Sequence, residues 1–125
     1  MNIALFASGT GSNVYNIIQH FKSNDLISVV AVLCNKAGAG ALSHAKNAGI
    51  TTLTFSKEEF DHLVKVEEFL AERKVDLLVL AGFLLKVPES LIDLYPNKII
   101  NLHPALLPDY GGKGMYGMNV HNAVI

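Results

Sequence analysis

Short apolar runs separated by segments of helical periodicity constrain this chain more than any other feature. The runs are "NIALFAS" (2–8), "LISVVAVLC" (26–34), "TTLTF" (51–55), "DLLVLAG" (76–82) and "KIINLH" (98–103). The stronger ones are continuously apolar instead of alternating, as expected of strands buried on both faces. Val14, Ile17, Ile18 and Phe21 recur at i, i+3, i+4 and i+7, which predicts a helix after the first run. "ALSHAKNA" predicts a short helix stopped by Gly49. Ser56 and Glu59 form a capping box, opening one helix with Phe60, Leu63, Val64, Phe69 and Leu70 on a broad face. Pro88 starts a further short helix, and "MNVHNAVI" starts a last one. This order predicts an α/β fold, with a Rossmann-like, doubly wound, mainly parallel sheet in a single domain over 1–125.

In such a sheet the first strand is central and the "LAG" strand lies beside it across the reversal of strand order. Ligands bind outside the carboxyl ends of the strands at that point. Three loops should therefore converge there: "GTGSN", "GFLLK" and "NLHPALLP".

The composition narrows the function classes. Half of the residues are hydrophobic and 17% are charged, which suits a compact core. The net charge is −1, with no basic stripe for nucleic acid and no polybasic run for a membrane surface. The longest apolar run, "LLVLAGFLL", is too short to span a bilayer. A lone cysteine, Cys34, suits a reducing compartment, and a cytoplasmic location is the expectation.

Two motifs carry candidate chemistry. "ASGTGSN" (7–13) leads from strand to helix, and the N–H groups of Gly11, Ser12 and Asn13 would open that helix toward an anion. A plain tight turn capped by Ser12 is the other reading. Dinucleotide binding fits less well, because Val14 replaces the third glycine and Asn35, not an acid, follows the second strand. A single phosphate fits better. In "NLHP", Asn101 and His103 are two apart on a strand and face the same side. An amide donor and an imidazole there can stabilise an oxyanion and move a proton, or simply end an edge strand at Pro104. His20, His44 and His62 read as solvated helix positions, and His121 as a candidate for the cleft. The scattered histidines form no metal-ligand spacing, so no metal is expected. Lys86 reads either as a surface lysine or as a ligand contact.

"ASGTGSN", "LAGFLLKV" (80–87) and "NLHPALLP" (101–108), in that order, resemble the phosphoribosylglycinamide formyltransferases of the formyltransferase family. The "NxHPxLLP" pattern alone is shared with other 10-formyltetrahydrofolate enzymes, including the hydrolases. The resemblance implies transfer of a formyl group from 10-formyltetrahydrofolate to the amine of glycinamide ribonucleotide in purine synthesis. A formyltetrahydrofolate hydrolase and a nucleotide-binding module without catalysis stand as alternatives. It implies that Gly11, Ser12 and Asn13 hold the substrate 5′-phosphate and that Asn101 and His103 are catalytic. Leu84, Leu85, Lys86, Val87 and Asn101 would meet the folate, and Lys57 falls where the family often carries an arginine near it. The implied partners are these two small molecules, with no nucleic acid, membrane or metal, and a homodimer is left open. "DYGGKGMYG" is longer than the commoner form of its loop, which suggests a subgroup. The family also carries an essential aspartate further downstream, and this chain stops at Ile125. The resemblance therefore implies an N-terminal portion, truncated before that aspartate and weakly active at best alone.

Overall fold

Each apolar run becomes a strand in the computed structural model, which describes residues 1–102. The elements run β1 (Asn2–Ala7), α1 (Ser12–Phe21), β2 (Ser28–Cys34), α2 (Gly40–Asn47), β3 (Thr51–Thr54), α3 (Lys57–His62), α4 (Val64–Glu72), β4 (Leu77–Ala81), α5 (Glu89–Leu94) and β5 (Ile99–Leu102). The five strands are parallel in the order β3-β2-β1-β4-β5. β1 is central, and the order reverses between β1 and β4, as the doubly wound pattern requires.

Period-two alternation divides the core between the two faces of the sheet. Ala4 and Phe6 of β1 join Ala31, Leu33, Leu78 and Leu80 against Phe55, Phe60, Leu63, Val66 and Leu91. Ile3, Leu5 and Ala7 join Val32 and Val79 against Val14, Ile18, Ala41 and Ala45 of α1 and α2. Helices α3, α4 and α5 thus cover one face and α1 and α2 the other. Complete burial of Leu5, Phe6, Val32, Leu33 and Leu78 explains why these runs read as continuously apolar.

The single helix expected after Ser56 is instead two. The Ser56 capping box forms as expected, with the Glu59 N–H donating to Ser56 Oγ at 3.0 Å and the Ser56 N–H to Glu59 Oε1 at 2.8 Å. At Leu63 the backbone turns left-handed, with φ 61°, ending α3 and starting α4. The break re-aims the second helix so that Val66, Phe69 and Leu70 meet the sheet. Val64, expected on the buried face, is 64% exposed.

Candidate active site at the carboxyl edge of the sheet

The turn after β1 is held from two sides. On one side it lies against the start of α2: the Ala41 N–H donates to the Gly9 carbonyl at 3.3 Å. The approach is close enough that a Cβ on Gly11 would lie 2.7 Å from the Ala41 nitrogen and against its Cα. A Cβ on Gly40 would likewise press into the Thr10 carbonyl. Gly11 is also left-handed, with φ 81° and ψ 22°, and it is the N-cap of α1. These constraints explain the glycine on each side of this contact. The first bond of the helix runs from the Tyr15 N–H to the Gly11 carbonyl at 2.8 Å. The amides of Ser12 and Asn13 therefore lie at the open, positive end of α1. Ser12 does not cap the helix as the tight-turn reading expected. It is the first helical residue, and no side chain caps α1.

On the other side, Ser8 ties the turn to the segment after β4. Its N–H donates to the Gly82 carbonyl at 3.2 Å, and its Oγ accepts the Leu84 N–H at 2.9 Å. Gly82 makes the turn that permits this, with φ 73°. Phe83 then anchors the segment in a cluster of four phenylalanines. Its ring meets Phe6 at 5.5 Å, Phe60 at 5.3 Å and Phe55 at 6.1 Å, each near edge-to-face.

Phe60 lies on α3, so the same cluster sets the position of Lys57 at the start of that helix. Lys57 comes to line a pocket of about 440 Å³ with Leu85, Lys86 and Val87, together with Asp61, Pro88, Glu89 and Ile92. Four residues that the resemblance assigned to one ligand, 30 positions apart at the extremes, thus share one wall. Lys57 Nζ also pairs with Asp61 at 3.3 Å in an exposed contact. Leu84 does not share that wall; its side chain is 75% exposed, and its contribution is the amide bonded to Ser8.

Asn101 pairs in register with Leu80 of β4. By alternation it lies on the face of Ile99 and the phenylalanine cluster, while Leu102 packs on the α1–α2 face. The expected separation of Asn101 from Leu102 therefore holds. His103, the glycine-rich loop, His121 and the last helix lie outside the described residues. His44 is not the solvated position expected: it is half-buried, with its ring 5.1 Å from Tyr15. Among the described residues no three His, Cys, Asp or Glu side chains come together as a metal site, and no helix is long and apolar enough to cross a membrane.

Reading the residues alone assigned no role to Ser8 or Phe83. The signal for Ser8 was a hydroxyl at the end of an otherwise apolar run. For Phe83 it was an aromatic directly after the strand, at the place where a loop needs an anchor. One further polar atom at this edge, Asn35 Oδ1 just after β2, is buried without a hydrogen-bond partner among the described residues.

An open parallel sheet, with a glycine turn into a helix at its switch point and a second loop and pocket beside it, defines a doubly wound α/β fold, a class whose ligand sites form outside the carboxyl ends of the strands. The chain belongs to the formyl transferase family, whose model matches residues 1–125. It is 40% identical over 129 residues to the chloroplastic phosphoribosylglycinamide formyltransferase of Arabidopsis thaliana, covering 98% of this chain and 44% of that protein. It is 38% identical over 117 residues to the phosphoribosylglycinamide formyltransferase of Escherichia coli K12, covering 90% of this chain and 55% of that one. The crystal structure of phosphoribosylglycinamide formyltransferase from Anaplasma phagocytophilum superposes with a TM-score of 0.78 at 33% identity, over 88% of this chain and 53% of that one. The chain spans about half the length of these curated relatives.

Proposed function

We propose that this chain holds both substrates of a phosphoribosylglycinamide formyltransferase: glycinamide ribonucleotide at the β1–α1 turn and 10-formyltetrahydrofolate along the segment after β4. The observation that carries this reading is convergence. The Gly11–Asn13 turn and the 84–87 segment meet through Ser8 at one edge of the sheet, and Asn101 is on the strand next to β4 at that edge. The names of the relatives agree with it.

The amides at the start of α1 would take the 5′-phosphate, since a helix N-terminus favours an anion and no side chain occupies the cap. The pocket lined by Lys57, Leu85, Lys86 and Val87 would receive the folate, with apolar side chains for a flat ring; its two lysines stand among two carboxylates, Asp61 and Glu89, and Lys57 is paired with Asp61. The substrate amine then attacks the formyl carbon, and the formyl oxygen gathers negative charge. The Asn101 amide would donate to that oxygen. The bond from the formyl carbon to N10 of the folate breaks, N10 takes a proton, and the amine nitrogen loses one. His103 is the expected carrier of that proton.

The reading is tested by calorimetric titration of the chain with glycinamide ribonucleotide and with its riboside, which lacks the phosphate. Binding that falls at least about tenfold without the phosphate supports it, as expected for loss of charge-assisted hydrogen bonds. Equal binding of the two would remove the phosphate from the β1–α1 turn and overturn the assignment.

A further inference from the structure

We infer that Ser8 is a positioning residue, whose hydroxyl fixes the 84–87 segment relative to the 9–13 turn and so sets the spacing of the two substrates. The spacing of substrates rests on the function proposed above; the hold on the segment does not. Among the described residues, Ser8 is the one polar residue that is fully buried, at 1% exposure. A buried hydroxyl is unfavourable unless it is bonded, and an alanine would fit the same apolar surroundings without that cost. The bond it makes is specific. Ser8 Oγ accepts the N–H of Leu84, 76 residues away, at 2.9 Å, while its own N–H holds the Gly82 carbonyl.

Packing does not hold Leu84, because its side chain is largely exposed. Between Phe83, set in the phenylalanine cluster, and Leu85, at the wall of the pocket, the Ser8 hydroxyl is the tie to the central strand. The adjoining residue, Gly9, is bonded through its carbonyl to Ala41. One short stretch, 8–9, thereby joins α2, the β1–α1 turn and the wall of the pocket.

The test is amide hydrogen exchange on the whole chain, comparing wild type with Ser8→Ala and Ser8→Thr. The expected result is local. Ser8→Ala speeds exchange at Leu84 by about three- to tenfold, the scale of one net hydrogen bond, while amides in the centres of β1, β2 and β4 change no more than the accompanying shift in global stability. Ser8→Thr, which keeps the oxygen, restores protection at Leu84. Unchanged exchange at Leu84 in Ser8→Ala, or a loss of protection spread evenly over the sheet, overturns the inference. A second arm adds glycinamide ribonucleotide. Slower exchange at Leu84 in wild type and no such slowing in Ser8→Ala supports coupling between the loops. Perturbation confined to Gly11–Asn13 in both proteins overturns the coupling and leaves the phosphate assignment standing. If the ribonucleotide perturbs neither loop, the phosphate assignment falls, and the free-protein comparison alone decides for or against Ser8.

Discussion

Substituting Gly11 with alanine should be among the most damaging methyl additions in the molecule, for two separable reasons. Gly11 has φ 81°, where an L-residue pays about 1–2 kcal/mol. Its Cβ would also be driven into the backbone of Ala41, 2.7 Å from the nitrogen, where no side-chain rotation relieves the overlap. Overpacking of this kind costs about 1–3 kcal/mol, so the sum is about 2–5 kcal/mol. Two other glycines isolate the contributions. Gly49 has φ 74° and open space around its Cβ, so Gly49→Ala should show backbone strain alone. Gly9 has open space and no positive φ, so Gly9→Ala should stay within about 1 kcal/mol of wild type, helped by a less flexible unfolded chain. The assay is urea unfolding of the three variants, with midpoints converted at a common slope. The expected order of destabilisation is Gly11, then Gly49, then Gly9. A Gly11→Ala variant no less stable than Gly49→Ala would refute the claim that the β1–α1 turn is clamped against α2.

Phe83→Ala should cost about 2–4 kcal/mol, as expected for removing a partly buried ring from an aromatic cluster; thermal unfolding measures it, and a folate titration of the same variant should show weaker binding. At Leu63 the usual ranking should invert: Leu63→Gly should be no more destabilising than Leu63→Ala, because relief of the left-handed turn by glycine offsets the one further methyl of packing it loses, and chemical denaturation of the pair decides it. The Glu59 carboxyl is held below its ordinary value of 4.5, chiefly by the Ser56 backbone N–H and then by Lys65. A carboxylate lowered in the folded state stabilises above that value, and the stabilisation fades as pH falls through the folded pKa. Acid titration of stability should therefore be shallower below about 4.5 in Glu59→Gln than in wild type.

The strands were legible because burial on both faces forces continuous apolar runs, and the central place of β1 beside β4 followed once a doubly wound sheet was assumed. The break at Leu63 was not. No glycine or proline marks it, and the choice between one helix and two was made by how Phe60, Val66 and Phe69 reach the same face of the sheet. His44 was misread for a related reason. Its solvation depended on a neighbouring helix, and Tyr15 of α1 packs on its ring. At the candidate site, the glycine turn was legible because Gly11 answers to a local backbone requirement. Lys57 could be linked to the 85–87 segment only by resemblance, since their meeting depends on the phenylalanine cluster, which spans four separate elements and loops. The role of Ser8 was hidden because its partner is a backbone amide, which carries no trace in residue type.

The central claim is that the two substrates meet at the carboxyl edge of the sheet. It is tested most directly by mapping backbone amide shifts of the chain during titration, first with glycinamide ribonucleotide and then with a hydrolysis-resistant 10-formyl folate analogue. The account predicts that the ribonucleotide perturbs Gly11, Ser12 and Asn13 first, and that the folate perturbs Lys57 and Leu85 to Val87. Shifts at saturation that leave both groups unmoved and gather instead in the groove between α1 and α2, lined by Tyr15, Gln19 and Asn47, would contradict it.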